Sequence, residues 1–147
     1  MSNQKYSKIY IACDHGGWDL KNHLIQKFPQ LPWQDLGTHS SDSVDYPDYA
    51  AQLCEQLKSE LPNAIGILVC GSGQGMAIRA NRYPFIRAAL CWSEEVARLA
   101  REHNNANVLC LAGRLIQFNE SERIFETFLK TNFEGGRHQR RVDKLNC

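Results

Sequence analysis

The clearest structural signal in the chain is the segment Ala64-Ile65-Gly66-Ile67-Leu68-Val69-Cys70-Gly71-Ser72-Gly73-Gln74-Gly75. Its first seven residues are apolar on both faces, which is typical of a central strand in a parallel sheet that is covered on both sides. The apolar run ends at Cys70 and passes directly into a turn with glycines at alternate positions. This order predicts a strand over 64–70 and a helix over about 76–81.

The same succession of strand, turn and helix recurs on both sides of this segment. Short apolar runs predict further strands at 9–13, 33–36, 86–91 and 107–111. Apolar residues at helical spacing predict helices at 18–28, at 49–61, from 93 onward and at 120–130. Strands that alternate with helices of these lengths predict an α/β fold with a five-stranded parallel sheet, in which ligands bind beyond the carboxyl ends of the strands.

The bulk composition predicts one ordinary globular domain over residues 1–147. Hydrophobic residues make up 43% and charged residues 22% of the 147 residues, which excludes a disordered or fibrous chain. The formal net charge of +1 gives no reason to expect nucleic acid or an anionic membrane as a partner. The N-terminus lacks the apolar core of a secretory signal, so we predict a cytoplasmic protein with a basic C-terminal segment at 134–147.

The six cysteines form no C-x-x-C pair, and four fall in or at the end of apolar runs. Reduced, buried thiols are therefore expected rather than a disulfide framework. Cys70 differs from these cysteines because it lies at the glycine turn before the next predicted helix. N–H groups at the start of a helix attract an anion and draw a thiol toward thiolate, so Cys70 is a candidate base or nucleophile. The alternative left open by residue type is a buried structural cysteine beside a tight turn.

Two other functions for the glycine turn are disfavoured. A phosphatase loop needs an arginine six positions after the cysteine, where this chain has Met76. A dinucleotide site favours G-x-G-x-x-G after the first strand, whereas this turn follows the third and its last glycine comes one residue early.

Asp14, His15 and His103 are candidates for proton transfer. A carboxylate beside an imidazole after the first strand can bind sugar hydroxyls or move protons. The alternative is an aspartate that caps the next helix beside a solvated histidine. His103, between a helix and a strand, is a candidate general acid or base, or else a cation that compensates the helix dipole.

Arg137 and Arg141 lie four residues apart in the basic C-terminal segment. In a helix both guanidinium groups would point at one anion, and their planar donors suit a phosphate. A solvated tail is the alternative. The near-zero net charge favours a small phosphate ligand over RNA.

Five segments together resemble the ribose-5-phosphate isomerase B family, which includes galactose-6-phosphate and allose-6-phosphate isomerases. They are 12–17 (Ala-Cys-Asp-His-Gly-Gly), 45–50 (Asp-Tyr-Pro-Asp-Tyr-Ala), 70–75, 103–109 (His-Asn-Asn-Ala-Asn-Val-Leu) and 134–142 (Glu-Gly-Gly-Arg-His-Gln-Arg-Arg-Val). They occur in the family's order and cover nearly the whole chain.

The resemblance implies a Rossmann-like three-layer sandwich and an aldose–ketose isomerase without metal or organic cofactor. The expected reaction is ribose 5-phosphate to ribulose 5-phosphate, in the non-oxidative pentose phosphate pathway. The expected assembly is a homodimer or a dimer of dimers, with the active site at the subunit interface. A six-carbon sugar phosphate as substrate, or a non-catalytic phosphate-binding module, are the alternatives.

The resemblance also implies roles for individual residues. Cys70 would move a proton between C1 and C2, Ser72 would hold the enediolate oxygen, and His103 would open the furanose ring with Asp14 as its partner. Some family members carry a glutamate as base where this chain has Met76. The implied substrate-binding residues are His15, Tyr46, Gly71, Gly73, Gly75, Asn104, Arg114, Arg137 and Arg141.

Overall fold

A computed structural model describes residues 4–146, so Met1 to Asn3 of the N-terminus and Cys147 lie outside the described residues. The five predicted strands form one parallel sheet in the order β2-β1-β3-β5-β4. The strands are β1 (Lys8–Cys13), β2 (Trp33–Asp35), β3 (Ala64–Cys70), β4 (Ala88–Leu90) and β5 (Val108–Ala112).

Helices cover both faces of the sheet. They are α1 (Trp18–Lys27), α2 (Tyr46–Leu57), α3 (Gln74–Ala80), α4 (Glu94–Asn104), α5 (Phe118–Lys130) and α6 (Arg137–Asp143), with short 3-10 turns at His15–Gly17 and Lys144–Asn146. None of the helices in residues 4–146 has the length and apolar character needed to cross a bilayer.

Alternate residues of β3 contribute to two separate hydrophobic cores. Ile65, Ile67 and Val69 pack with α1, α4 and α5 on one face. Leu68 and Cys70 pack with α2 and α3 on the other face. This arrangement confirms the Rossmann-like three-layer sandwich and directs the Cys70 side chain toward the α2–α3 layer.

Some element boundaries differ from the predicted ones for local reasons. The predicted helix at 49–61 begins at Tyr46, because Pro47 in the first turn fits a helix start, and it ends at Leu57. The edge strand predicted at 86–91 is limited to 88–90. The Asn81 side chain bonds both the N–H and the carbonyl of Ala88, at 2.8 and 2.9 Å, where a further strand would otherwise pair.

Candidate active site

Loops that follow three adjacent strands meet at the carboxyl edge of the sheet. Beyond β5, the N–H of Gly113 donates to the carbonyl of Cys70 at 2.8 Å, and the N–H of Arg114 donates to the carbonyl of Gly71 at 3.1 Å. Beyond β1, Gly16 approaches so closely that a Cβ atom there would lie 2.9 Å from the Gly71 nitrogen. Backbone contacts therefore hold the three loops as one surface.

Cys70 lies at the centre of this surface. Its side chain is almost fully buried, and the N–H of Gly73 donates to its Sγ at 3.1 Å. Gly73 has φ +76°, and a Cβ atom there would lie 2.6 Å from Leu90 Cδ1. Only glycine therefore permits the turn that directs this N–H group at the sulfur. Met76 is completely buried in the core, away from solvent.

The other four described cysteines lie outside the glycine turn. All five described cysteines are free and buried. Burial raises the pKa of Cys13 to about 11 and the pKa of Cys54 and Cys91 to about 12. Burial also raises the pKa of Cys110 well above its ordinary value. These four side chains remain thiols at neutral pH, so they are unsuited to act as bases.

Asp14 caps the 3-10 turn that follows β1, as the structural alternative predicted. Its Oδ1 accepts hydrogen bonds from the N–H groups of Gly16 and Gly17, at 2.9 and 3.2 Å. Its Oδ2 accepts none from any residue in 4–146, and the side chain is buried. One carboxylate oxygen thus fixes the loop while the other is available to a ligand.

His15 is oriented by its contact with the loop before α2. Its Nδ1 accepts a hydrogen bond from the N–H of Val44 at 3.2 Å. We therefore assign the proton of the neutral ring to Nε2. That Nε2–H group is a donor for an anionic oxygen.

Three more of the expected residues adjoin the glycine turn. The Tyr46 ring lies directly over Gly75, where a Cβ atom would come within 2.6 Å of it. Arg114 is exposed, and its Cδ lies 3.7 Å from the position that a Cβ atom on Gly71 would occupy. The Oγ of Ser72 accepts from the N–H of Gln74 at 3.4 Å.

His103 and Asn104 lie at the opposite edge of the sheet. The helix α4 connects the carboxyl end of β4 to the amino end of the parallel strand β5, so its last residues lie at the amino edge. Its 11 residues span about 15 Å along the helix axis. Within one chain, therefore, these two residues do not meet Cys70.

Arg137 and Arg141 belong to α6, which packs beside the end of α4. The segment is helical, which is the condition under which their four-residue spacing places both guanidinium groups on one side. Both side chains are exposed and form no ion pair with a carboxylate in residues 4–146. The N–H of Glu134 donates to the carbonyl of Glu102 at 3.1 Å, which fixes the start of α6 at this position.

His138 was not among the expected site residues, although the structure places it against His103. The two rings stack with centroids 4.2 Å apart and an interplanar angle of 12°. Burial, then the neighbouring His103 and Arg137, lower the pKa of His138. One signal in the sequence could have indicated that His138 is buried. His138 lies four residues before Val142, and both side chains form the buried face of α6.

The fold and this surface define a Rossmann-like α/β protein with a candidate thiol-dependent site at the carboxyl edge of its central strands. Comparison with known proteins narrows that class. The chain belongs to the Ribose/Galactose Isomerase family, whose model matches residues 9–145.

Individual relatives are similar along nearly their whole length. The chain is 46% identical to the probable ribose-5-phosphate isomerase B of Mycoplasma genitalium over 140 residues, covering 93% of this chain and 92% of the relative. It is 38% identical to ribose-5-phosphate isomerase B of Escherichia coli, covering 95% of each chain.

Solved structures agree with this similarity. A ribose 5-phosphate isomerase from Thermotoga maritima matches with a TM-score of 0.92 and 48% identity, over 95% of this chain and 97% of that one. The Mycoplasma genitalium ribose-5-phosphate isomerase B with bound ribulose-5-phosphate matches with a TM-score of 0.90 and 45% identity, over 95% and 93% of the two chains.

Proposed function

We propose that this chain interconverts ribose 5-phosphate and ribulose 5-phosphate, with Cys70 as the base. The observation that carries the proposal is the glycine turn, in which the Cys70 Sγ accepts a hydrogen bond from a backbone N–H and adjoins the loops after β1 and β5. The names of the relatives and the ribulose 5-phosphate bound to the Mycoplasma genitalium neighbour support the choice of substrate. Free cysteines are consistent with the reducing cytoplasm, where we expect the reaction to occur.

The first proposed step opens the furanose ring. His103 donates a proton to the ring oxygen while Asp14 accepts the proton of the anomeric hydroxyl, and the bond between C1 and the ring oxygen breaks. The Oδ2 atom of Asp14 suits this role because only Oδ1 is used to cap the turn. The product is the open-chain aldehyde.

The second proposed step moves a proton between two carbons. The Cys70 thiolate removes the proton from C2, and the electron pair shifts to give an enediolate with its negative charge on the C1 oxygen. Ser72 and the N–H groups of the glycine turn stabilise that oxygen. Cys70 then returns the proton to C1 while the O2 proton passes to O1, so C2 becomes the carbonyl carbon of the ketose.

Phosphate binding anchors the substrate for both steps. The proposed ligands are the Nε2–H of His15 and the guanidinium groups of Arg114, Arg137 and Arg141. Binding energy from this remote group orients C1 and C2 against the base. Tyr46 and Asn104 line the sugar between the phosphate and the reacting carbons.

The separation of these residues within one chain leads us to propose a homodimer, alone or paired into a tetramer. Cys70, Asp14 and Tyr46 of one subunit would face His103, Asn104, Arg137 and Arg141 of the other. Apolar side chains near the carboxyl edge offer a surface for a second copy: Ile78, Trp92 and Leu115 are each 60% exposed or more.

Steady-state kinetics with matched cysteine variants test the base assignment. We expect the purified protein to convert ribose 5-phosphate in the presence of a chelator. Cys70→Ala is expected to lower kcat by about a thousandfold or more, the scale of a lost general base, while Cys54→Ala in the core keeps kcat. Circular dichroism confirms that both variants fold. A near-normal kcat for folded Cys70→Ala would contradict the proposal.

A substrate panel tests the choice of sugar separately. The aldose 6-phosphates of allose and galactose are compared with ribose 5-phosphate under the same conditions. We expect the highest kcat/KM for the five-carbon substrate. A higher value for either six-carbon sugar would overturn the pentose assignment and leave the base assignment intact.

A further inference from the structure

Three potential metal ligands converge where α4 ends and α6 begins. Ligand atoms of His103, Glu134 and His138 all lie within 4.8 Å of one another. The Nε2 of His138 lies 3.4 Å from Oε2 of Glu134. Across residues 4–146 no other group of three histidine, cysteine or acidic side chains is this compact.

Backbone contacts hold two of these residues in place. The N–H of Glu134 donates to the carbonyl of Glu102 at 3.1 Å, and the N–H of His138 donates to the carbonyl of Gly135 at 3.0 Å. The His138 side chain is only 8% exposed, whereas that of Glu134 is 52% exposed. The cluster is therefore fixed on its inner side and open to an ion from solvent.

We propose that His103, Glu134 and His138 form an inhibitory site for a divalent transition metal such as zinc. Two imidazoles and one carboxylate are a donor set that binds zinc and leaves a fourth position for water. Tetrahedral bonds of about 2.0 Å place ligand atoms roughly 3.3 Å apart. The His138–Glu134 pair already has this spacing, and rotation of the stacked His103 ring brings the third ligand in.

The inhibition, unlike the binding, rests on the proposed function of His103. A metal ion on the His103 ring occupies the nitrogen lone pair through which the imidazole would otherwise exchange protons. Coordination also turns the ring away from its stacked position. Ring opening then fails while Cys70 and the glycine turn are unaltered. Neighbouring Arg137 and Arg141 repel a cation, so the site is expected to release its metal to a chelator.

Cobalt titration tests binding without reference to activity. Co²⁺ added to the reduced wild-type protein is expected to give the intense visible absorption of a tetrahedral site, without a thiolate-to-cobalt charge-transfer band. Glu134→Gln and His138→Gln are expected to weaken Co²⁺ binding at least about tenfold, the lower end of what changes around a metal ligand cost. His23→Gln is the matched control, because His23 pairs with Glu122 at 2.9 Å but belongs to no three-ligand group among the described residues.

Zinc inhibition of the isomerase provides the second measurement. The Zn²⁺ concentration for half inhibition should rise at least about tenfold in Glu134→Gln and should remain unchanged in His23→Gln. A chelator should reverse the inhibition. Three results would overturn the metal site: no tetrahedral Co²⁺ bands, bands that persist in both Glu134→Gln and His138→Gln, or a thiolate charge-transfer band. Variant-sensitive Co²⁺ binding without zinc inhibition would overturn the inhibitory role. A wild-type protein without isomerase activity would refute the proposed function, and the Co²⁺ titration would still decide the site.

Discussion

A mixture of two inactive variants, Cys70→Ala and His103→Asn, is expected to regain isomerase activity. Within one protomer the two residues lie at opposite edges of the sheet, separated by the length of α4, which is about 15 Å. No side-chain movement closes that gap inside a folded chain. If both residues act on one sugar, they must come from different subunits.

The expected recovery follows from the symmetry of a dimer. Random assembly of equal amounts gives about half heterodimers, and each heterodimer has one site with both substitutions and one site with neither. About a quarter of all sites are then intact, so the mixture should reach about 25% of wild-type activity. Pairing of dimers into tetramers leaves this fraction unchanged, because each site lies within one dimer.

The assay co-refolds the two variants and follows ketose formation, with native mass spectrometry to count heterodimers. The matched control mixes Cys70→Ala with Ser72→Ala, whose side chains lie at the same edge of the sheet and should not complement each other. Heterodimers of Cys70→Ala and His103→Asn without recovered activity would refute the shared site. An active monomer would refute it as well.

Three further perturbations have distinct expected outcomes. Arg137→Ala should raise KM for ribose 5-phosphate about tenfold or more with a smaller change in kcat, because it removes a charge-assisted bond to phosphate, whereas Arg140→Ala should not. An unchanged KM would exclude Arg137 from the phosphate site. Asp35→Asn should lower the free energy of unfolding in urea by about 2–3 kcal/mol, because the Nζ of Lys21, which is 1% exposed, lies 2.8 and 2.7 Å from the two carboxylate oxygens. Lys21→Met should lower the free energy of unfolding by less than Asp35→Asn does, because it removes the buried charge itself. An equal or larger decrease for Lys21→Met would contradict this reasoning. Burial first, then Arg101, lowers the pKa of Lys5 from 10.5 to about 8, so the folded chain loses this proton before the unfolded chain does. The Lys5 contribution to stability therefore rises between pH 8 and 10.5, and comparison of Lys5→Met with wild type over that range should show the rise only in wild type.

The central part of the fold was predictable because its signals are local. The unbroken apolar run from 64 to 70 indicated a strand covered on both faces, and β3 occupies the middle of the sheet. The start of α2 was missed because its buried stripe begins only at Ala50, so the first turn carries no apolar periodicity. The order of the strands depends on long-range packing that no local pattern encodes.

The candidate site was predictable only in part, for a similar reason. Ligands were expected to bind beyond the carboxyl ends of the strands, and the loops carrying Asp14, Cys70 and Arg114 are joined by backbone contacts at that edge. The amino-edge position of His103 follows from chain direction, since a helix that leads into a parallel strand ends at that edge. No residue spacing indicates which surface of the chain meets a second copy. The homodimer could therefore be expected from the resemblance to the family and from nothing else in the sequence.

The helix α6 links the two chemical requirements of the proposed reaction. Its buried face, His138 and Val142, fixes it beside α4 and sets the ring of His103 by stacking. One position earlier in each turn, Arg137 and Arg141 point to solvent. The same packing therefore fixes the two arginines proposed to hold the phosphate and the imidazole proposed to open the ring. Because α4 and α6 pack together, the relation between His103 and the two arginines is set within one subunit, and the interface of the proposed dimer has to set their distance to Cys70, His15 and Arg114 of the other.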